Sequence, residues 1–335
     1  MSGSVAVVGG GSWGTALALH AARAGRSVRL WVHDAALERS MREGRENRTY
    51  LPGHPLPENL ETSADLQEVL QGEGTAVLVV PSHHLREVVR RGARALAGGR
   101  PLVVATKGIE EGTLRRMSEL VAEECGVPAR RIATLSGPSF AQEVAAGHPT
   151  AVVIGAVDAA LGARMQREWS AGNLRAYRNP DQLGVELGGA LKNVVAIAAG
   201  IVDGLGLGSN TRAALLTRGL HEITRLAVAL GARRPTMAGL AGMGDLVLTC
   251  TGGLSRNRQV GIELGRGRPL RQILAEMKMV AEGVRTCSGA VQLARRAGVE
   301  MPIADRMEAI LFSGASPEAA IRELLSRSPK EETRL

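Results

Sequence analysis

The first fourteen residues constrain this chain more than any other stretch. An unbroken apolar run, Val5-Ala6-Val7-Val8, leads into Gly9-Gly10-Gly11-Ser12-Trp13-Gly14, and an alanine- and leucine-rich helical pattern leaves it. In a chain with 42 glycines, G-x-G-x-x-G recurs by chance. Between a buried-type strand and a helix it takes on a mechanical meaning. Gly9 permits the tight turn, Gly11 lets a pyrophosphate approach the backbone, and Gly14 lets helix and strand close on one another. The helix start offers unsatisfied N–H groups and a positive dipole end to an anion. The motif therefore points to a dinucleotide site, against the plainer reading of a strand-to-helix turn.

The first half continues in the same manner. Strand patterns at Val5–Val8, Ser27–Val32, Ala76–Val80, Leu102–Ala105, Ile132–Leu135 and Ala151–Ile154 alternate with helical ones. The helical stretches are Trp13–Ala24, Leu85–Leu96, Leu114–Glu124 and Ala159–Trp169. Short, almost continuously apolar strands separated by helices imply a parallel sheet covered on both faces. The expected architecture is α/β, a Rossmann-type doubly wound sheet over residues 1–180. After Asn179-Pro180 the strand patterns give way to an all-helical second domain, residues 181–335. Its helical patterns are Leu183–Val202, Thr211–Leu230, Leu270–Met279, Ser288–Ala297 and Ile303–Phe312, and the charged tail Ser328–Leu335 reads as frayed.

Composition narrows the functional classes. The formal charge is +8, but the arginines are spread along the chain and interleaved with acids, and aromatics are only 2%. That is a basic surface suited to anionic metabolites rather than a nucleic-acid patch with stacking partners. Cys125, Cys250 and Cys287 are far apart and odd in number, which makes neither a disulfide framework nor a metal cluster. No metal is expected, and a reducing, cytoplasmic setting is favoured. The most apolar stretch, Leu187–Leu207, is interrupted by Lys192, Asn193 and Asp203, so membrane insertion is not expected.

Three clusters carry candidate chemistry. Lys192 lies in Leu187-Gly-Gly-Ala-Leu-Lys192-Asn193-Val-Val-Ala-Ile, too apolar a helix for a lysine that merely faces solvent. A buried lysine can serve as acid or base, the alternative being a side chain that snorkels to the surface. Lys107 follows the strand Leu102–Ala105 at the carboxyl end, where α/β sheets bind ligands. The second cluster is a glycine-rich stretch from Gly239 to Thr251, followed by Ser255-Arg256-Asn257-Arg258. Side chains of these types, with backbone N–H groups, can hold a phosphate, the alternative being a solvated loop with incidental arginines. Gly137-Pro138-Ser139-Phe140-Ala141 is a third ligand loop or, read plainly, a helix cap at Ser139.

At these residues the sequence resembles the bacterial NAD(P)-dependent glycerol-3-phosphate dehydrogenase family. Besides the glycine-rich turn, the likeness rests on Leu30-Trp31-Val32-His33-Asp34, Asn47-Arg48-Thr49-Tyr50-Leu51-Pro52, Val80-Pro81-Ser82-His83 and Ala105-Thr106-Lys107-Gly108. It continues through Ser136-Gly137-Pro138-Ser139-Phe140-Ala141, the Lys192 segment, Gly242-Met-Gly-Asp245-Leu, Ser255-Arg256-Asn257-Arg258 and Val280-Ala281-Glu282-Gly283. The resemblance implies that Lys192 accepts the substrate hydroxyl proton, with Lys107 and Asp245 positioning the substrate. It implies that Ser255, Arg256 and Asn257 hold the phosphate end and that Gly137 and Ser139 contact substrate. Ser12, Trp13, His33, Ala141, Val280 and Glu282 would line the dinucleotide site, with Lys107 and Arg256 reaching it.

The implied reaction interconverts dihydroxyacetone phosphate and sn-glycerol 3-phosphate, feeding glycerophospholipid synthesis. Lys107 and Arg256 are expected to keep the Lys192 amine neutral. Between NAD and NADP the second strand's end does not choose: Trp31, Val32, His33 and Asp34 all stand near the ribose-reading position. Rival readings are a β-hydroxyacid or ketopantoate-type reductase, which needs a carboxylate clamp, and a non-enzymatic dinucleotide-binding protein, which has no reason to bury Lys192. A small phosphorylated substrate is the expected partner, and the apolar helical domain is compatible with a homodimer.

Overall fold

The apolar runs of the first half become the interior strands of one eight-stranded sheet. A computed structural model describes residues 3–277, 280–326, 328 and 331. The strands are β1 (Val5–Val8), β2 (Val28–Trp31), β3 (Leu60–Ser63), β4 (Thr75–Leu78), β5 (Leu102–Val104), β6 (Ile132–Ser136), β7 (Thr150–Gly155) and β8 (Leu174–Asn179). Their order is β3-β2-β1-β4-β5-β6-β7-β8, so the winding reverses between β1 and β4. Open α/β sheets bind ligands at such a reversal, beyond the carboxyl ends of the strands.

Side chains alternate across the sheet and divide its core in two. Val5 and Val7 join the cluster under the helix Ser12–Arg23, which contributes Leu17 and Leu19. Ala6 and Val8 join the opposite cluster, with Leu85, Val88 and Val89 of the helix Ser82–Ala97.

The all-parallel expectation fails at one edge. β7 runs antiparallel to β6, with Leu135 opposite Ile154, and β8 is parallel to β7. The β6–β7 connection holds only the short helix Ala141–Ala145. A parallel return usually crosses back through a full helix packed on the sheet, which this five-residue helix does not supply. The helix expected over Leu114–Glu124 begins at Met117, because Leu114 has a left-handed backbone, φ 59°.

The chain divides into two units, Met1–Lys107 with Arg116–Gln182, and Gly108–Arg115 with Leu183–Leu335. The excursion 108–115 departs from a simple cut at 180/181 and has a physical cause. Ile109 and Leu114 are buried in the apolar cluster of the second unit, where Ile109 meets the backbone of Gly289, and Glu111 pairs with Arg285.

The second unit is built of helices around Gln182–Gly204, which is long and apolar enough to cross a membrane, but its most apolar 18-residue stretch is buried inside the protein. Glycine explains how closely its neighbours approach. A Cβ at Gly200 would stand 2.0 Å from the Arg258 carbonyl oxygen, and one at Gly261 would stand 2.0 Å from that of Ile197. Gly204 and Gly265 repeat the contact one turn on. Backbone thus meets backbone between Gln182–Gly204 and Arg256–Gly265, which fixes where the second helix begins. The helix expected over Leu270–Met279 is seen as Leu270–Glu276, with 278–279 outside the described residues. Most of the tail from Ser328 also lies outside them.

Candidate active site

In the first unit, the glycine-rich turn has the geometry its sequence anticipates. Gly9 adopts φ 133°, and a Cβ there would come within 2.8 Å of the Val79 carbonyl oxygen. A Cβ on Gly14 would stand 1.9 Å from the Gly9 oxygen, so the helix can approach the turn only with glycine there. Gly11 faces open space and caps the helix Ser12–Arg23 without a side-chain bond. No acid lies in that helix's first turn, so the positive end of its dipole faces no carboxylate of its own helix. Trp13 Nε1 is buried and makes no hydrogen bond among the described residues. Asn47, fully buried, donates to the Gly10 carbonyl at 2.9 Å and to Thr15 Oγ1 at 2.8 Å, bracing the turn from below. The open cradle at Gly11 and the orphaned Trp13 donor fit a dinucleotide's phosphates.

The residues at the end of β2 differ in what they touch. Asp34 uses Oδ1 to accept from Ala36 N at 2.8 Å and Leu37 N at 2.9 Å, capping the helix Ala35–Gly44. His33 is exposed, its ring edge-on to Trp31 at 5.6 Å. Past the strand end the imidazole of His33 is thus exposed, while one oxygen of Asp34 is engaged in the cap.

Lys107, Gly137 and Ser139 come together at the carboxyl end of the same sheet. The half-buried Lys107 ammonium donates to the Gly137 carbonyl at 3.2 Å, and Ser139 Oγ donates to the same oxygen at 3.1 Å. Gly137 takes φ 113°, which aims its carbonyl at both. Ala141 begins the next helix, half-buried. Ser139 thus bonds within its own loop and does not cap that helix, whose N-cap is Phe140.

In the second unit, Lys192 is 6% exposed and Asp245 1%. The ammonium donates to Asp245 Oδ1 and, at 2.5 Å, to Thr249 Oγ1. Thr249 follows Asp245 by one helical turn in Asp245–Thr251 and donates back to the Asp245 carbonyl at 2.6 Å. The wide turn Leu240–Gly244 delivers Asp245 to this place. A Cβ on Gly188 would stand 2.6 Å from the Ala241 oxygen, and one on Gly242 would stand 2.1 Å from that of Met237. Within the second unit, the described partners of Lys192 are thus a carboxylate and a hydroxyl. Thr249 was not singled out as a site residue, although its i, i+4 relation to Asp245 was there to be read.

Ser255 is buried and caps Arg256–Gly265 by accepting from Arg258 N at 3.3 Å. Arg256 Nη1 donates to the Val280 carbonyl at 3.3 Å. Burial pushes its guanidinium below the usual arginine range, with the Glu282 carboxylate opposing. Asn257 Nδ2 donates to Asn193 Oδ1 at 2.9 Å, and Asn257 Oδ1 accepts from Gly283 N at 2.9 Å. The unit therefore joins Lys192, Asn193 and Asp245 with Ser255, Arg256 and Asn257, and these with Val280 and Glu282. No group of His, Cys, Asp and Glu able to hold a metal occurs among the described residues.

A doubly wound sheet with a dinucleotide turn, in a chain that also buries a lysine–aspartate pair, defines a nicotinamide-dependent oxidoreductase. Residues 4–161 match the model of the NAD-dependent glycerol-3-phosphate dehydrogenase N-terminus, and residues 181–322 that of its C-terminus. The glycerol-3-phosphate dehydrogenase [NAD(P)+] of Citrifermentans bemidjiense is 51% identical, over 99% of both chains. That of Syntrophotalea carbinolica is 52% identical over 98% of this chain and 99% of its own. Among solved structures, glycerol-3-phosphate dehydrogenase from Coxiella burnetii superposes with a TM-score of 0.93 at 41% identity, over 97% of this chain and 99% of that one. The chain belongs to the NAD-dependent glycerol-3-phosphate dehydrogenase family.

Proposed function

We propose that this chain interconverts dihydroxyacetone phosphate and sn-glycerol 3-phosphate, using NAD or NADP, with Lys192 as the proton-transferring group. The reading rests on one observation: a buried ammonium, held by Asp245 and Thr249, stands one residue from an asparagine pair that leads into the Ser255–Arg256 helix start. A bound nicotinamide supplies or removes the hydride at the substrate's C2. Everything else falls to side chains.

In reduction, the Lys192 N–H bond breaks as the C2 oxygen takes the proton, leaving a neutral amine and a secondary alcohol. In oxidation the amine takes that proton back. Asp245 steadies the ammonium and Thr249 fixes its direction, so the charge that forms and disappears at Nζ stays paired. Ser255, Arg256 and the N–H groups at the start of Arg256–Gly265 are assigned to the phosphate. Lys107, Gly137 and Ser139 are assigned to the substrate as well. Gly9, Gly11, Ser12, Trp13 and Gly14 are assigned to the pyrophosphate, His33 to the ribose, and Ala141, Val280 and Glu282 to further cofactor contacts, with Lys107 and Arg256 shared.

The three buried free cysteines support a cytoplasmic location, and the product's chemistry suits a supply of glycerol phosphate for glycerophospholipids. Exposed Leu207, Val228, Met243, Val247 and Leu254, all in the helical unit, support a homodimer; a monomer mass by sedimentation would remove that part. The deciding assay follows the absorbance of NADH or NADPH with dihydroxyacetone phosphate, plain dihydroxyacetone and ketopantoate. Oxidation with the phosphorylated ketone alone is expected. Turnover of ketopantoate in preference to it would overturn the proposal.

A further inference from the structure

The stretch Asn47-Arg48-Thr49-Tyr50-Leu51-Pro52 carries part of the family likeness, yet the proposed reaction gives it no task. It lies in the connection 45–59, between the helix Ala35–Gly44 and β3, and that connection is held stiffly. Arg45, in a left-handed backbone at φ 49°, donates from Nη2 to the carbonyls of Leu56 at 3.0 Å and Leu60 at 3.2 Å. Glu46 accepts from Gly53 N at 2.8 Å, and Leu51 N donates to the Asn47 carbonyl at 2.8 Å. Within this frame the Asn47 side chain is fully buried, and its Oδ1 accepts from Tyr50 N at 3.1 Å. The carboxamide is thereby fixed with Nδ2 turned on the Gly10 carbonyl oxygen at 2.9 Å and Thr15 Oγ1 at 2.8 Å.

What Asn47 holds is the loosest peptide of the glycine-rich turn. On one side Gly9 N donates to the Trp31 carbonyl at 3.2 Å, which ties the turn to β2. On the other, the Gly11 carbonyl accepts from Thr15 N at 2.9 Å, at the start of the helix. Between them the Gly10–Gly11 peptide has glycine on both sides, so no Cβ restrains its rotation. A side chain cannot be added at Gly10 to stiffen it, because a Cβ there would stand 2.8 Å from Val32 Cγ2. Thr15 Oγ1 reaches the Gly10 oxygen only at 3.5 Å, too long to hold it alone. In a planar trans peptide the carbonyl and the N–H point opposite ways. With the Gly10 oxygen drawn to the buried Asn47, the Gly11 N–H faces away from it, at an exposed residue with open space around it.

We infer that Asn47 is a positioning residue for the cofactor: by holding the Gly10 carbonyl inward, it keeps the Gly11 N–H turned toward the pyrophosphate. The inference rests on the proposed assignment of the Gly9–Gly14 turn to the pyrophosphate. Without Asn47 the peptide rotates, and a share of the molecules presents a carbonyl oxygen where the anion needs a donor. Apparent affinity for the cofactor falls with the share that remains competent. Once cofactor is bound the turn has its working shape, so the chemical step is unchanged.

The test is fluorescence titration with whichever of NADH and NADPH the wild type binds more tightly, on wild type, Asn47→Ala, Asn47→Leu and Met165→Ala. It is read together with Tm, with kcat at saturating cofactor and with KM for dihydroxyacetone phosphate. Asn47→Ala removes the donor and leaves a gap; Asn47→Leu removes the donor but fills the space, and carries the test if the alanine variant fails to fold. Both weaken the cofactor by about tenfold or more, the worth of one hydrogen bond to a charged group. Their kcat and KM for dihydroxyacetone phosphate stay within about threefold of wild type, well inside a tenfold step. Met165 is the control, fully buried in the same core cluster as Leu17 and Leu19. Met165→Ala leaves a cavity and lowers Tm, but keeps wild-type affinity for the cofactor.

Wild-type cofactor affinity in a folded Asn47→Ala or Asn47→Leu would overturn the inference. So would a fall in kcat as large as the loss of affinity, or an equal loss of affinity in Met165→Ala, the mark of a purely structural residue. A wild type that binds neither cofactor is a separate failure, of the proposed function itself.

Discussion

Gly261→Ala tests how the helical unit places its site. Gly44, at the end of the helix Ala35–Gly44, makes a matched control because a Cβ there meets nothing within 4 Å. In an open helical position, Gly→Ala stabilises by roughly 0.4–1 kcal/mol through the unfolded chain. At Gly261 the same methyl would stand 2.0 Å from the Ile197 carbonyl oxygen and 2.8 Å from Gly200 Cα, both backbone atoms that cannot swing aside. Ordinary contact begins near 3.4 Å, so Arg256–Gly265 must retreat by more than 1 Å. Overpacking of this kind costs about 1–3 kcal/mol, and a backbone clash belongs at the upper end. For a unit of this size, about 3 kcal/mol corresponds to roughly 6–12 °C in Tm.

The retreat also carries Ser255 and Arg256 away from Lys192 and Asn193. A misplacement of about 1 Å can cost up to about a hundredfold in rate, so kcat/KM for dihydroxyacetone phosphate should fall by roughly ten- to a hundredfold. Differential scanning calorimetry and steady-state kinetics on both variants read the two effects. Gly44→Ala should match or exceed wild-type Tm at full activity. A Gly261→Ala protein that melts and turns over like Gly44→Ala would refute the reasoning.

Other expectations follow from single groups. Burial pushes Glu222 up to about 7, against the N–H groups of Ile303 and Ala304 that lower it. Its folded pKa exceeds the unfolded value, so the folded state binds the extra proton and stability falls as pH rises from about 4.5 through about 7. Glu222→Gln should flatten that slope in urea midpoints measured at pH 5.5 and 8; an unchanged slope would count against Glu222 as its source. Burial pushes Cys250 and Cys287 up to about 12 and Cys125 up to about 11, so all three stay protonated at pH 8. A thiol reagent should therefore label the folded protein slowly and all three thiols after unfolding, and rapid labelling of folded protein would contradict their burial. Arg256→Ala should erase the preference for phosphorylated over plain dihydroxyacetone while sparing the melting temperature; a preserved preference would place the phosphate elsewhere. Asp245→Asn should lower turnover by more than tenfold in a protein that still folds, because a buried ammonium loses its counter-ion.

The doubly wound architecture was readable because the inner strands bury both faces and so appear as unbroken apolar runs. β3 (Leu-Glu-Thr-Ser) and β8 (Leu-Arg-Ala-Tyr-Arg-Asn) escaped that reading because they are edge strands with exposed positions and charged side chains. Strand direction leaves no periodicity in a sequence, which is why the antiparallel β7 was not foreseen. The candidate site residues stand out by their types in apolar settings, above all Lys192, and by the family likeness. What those residues touch does not. The Asp245–Lys192 pair spans 53 residues and the Asn257–Gly283 bond 26, and no local pattern encodes either contact. The glycines at 200, 204, 261 and 265 did leave a local trace, a spacing of four on each of two helices, but only the fold shows that the two pairs face each other.

The account turns on the proton that Lys192 exchanges with the substrate oxygen. Turnover of dihydroxyacetone phosphate by Lys192→Ala, measured with and without added primary amines, tests it most directly. The account predicts a fall of at least about a hundredfold with NADPH binding intact, and partial recovery that tracks the concentration of the amine's ammonium form. Near-wild-type turnover in that variant, or a fall that comes entirely from lost cofactor binding, would contradict it.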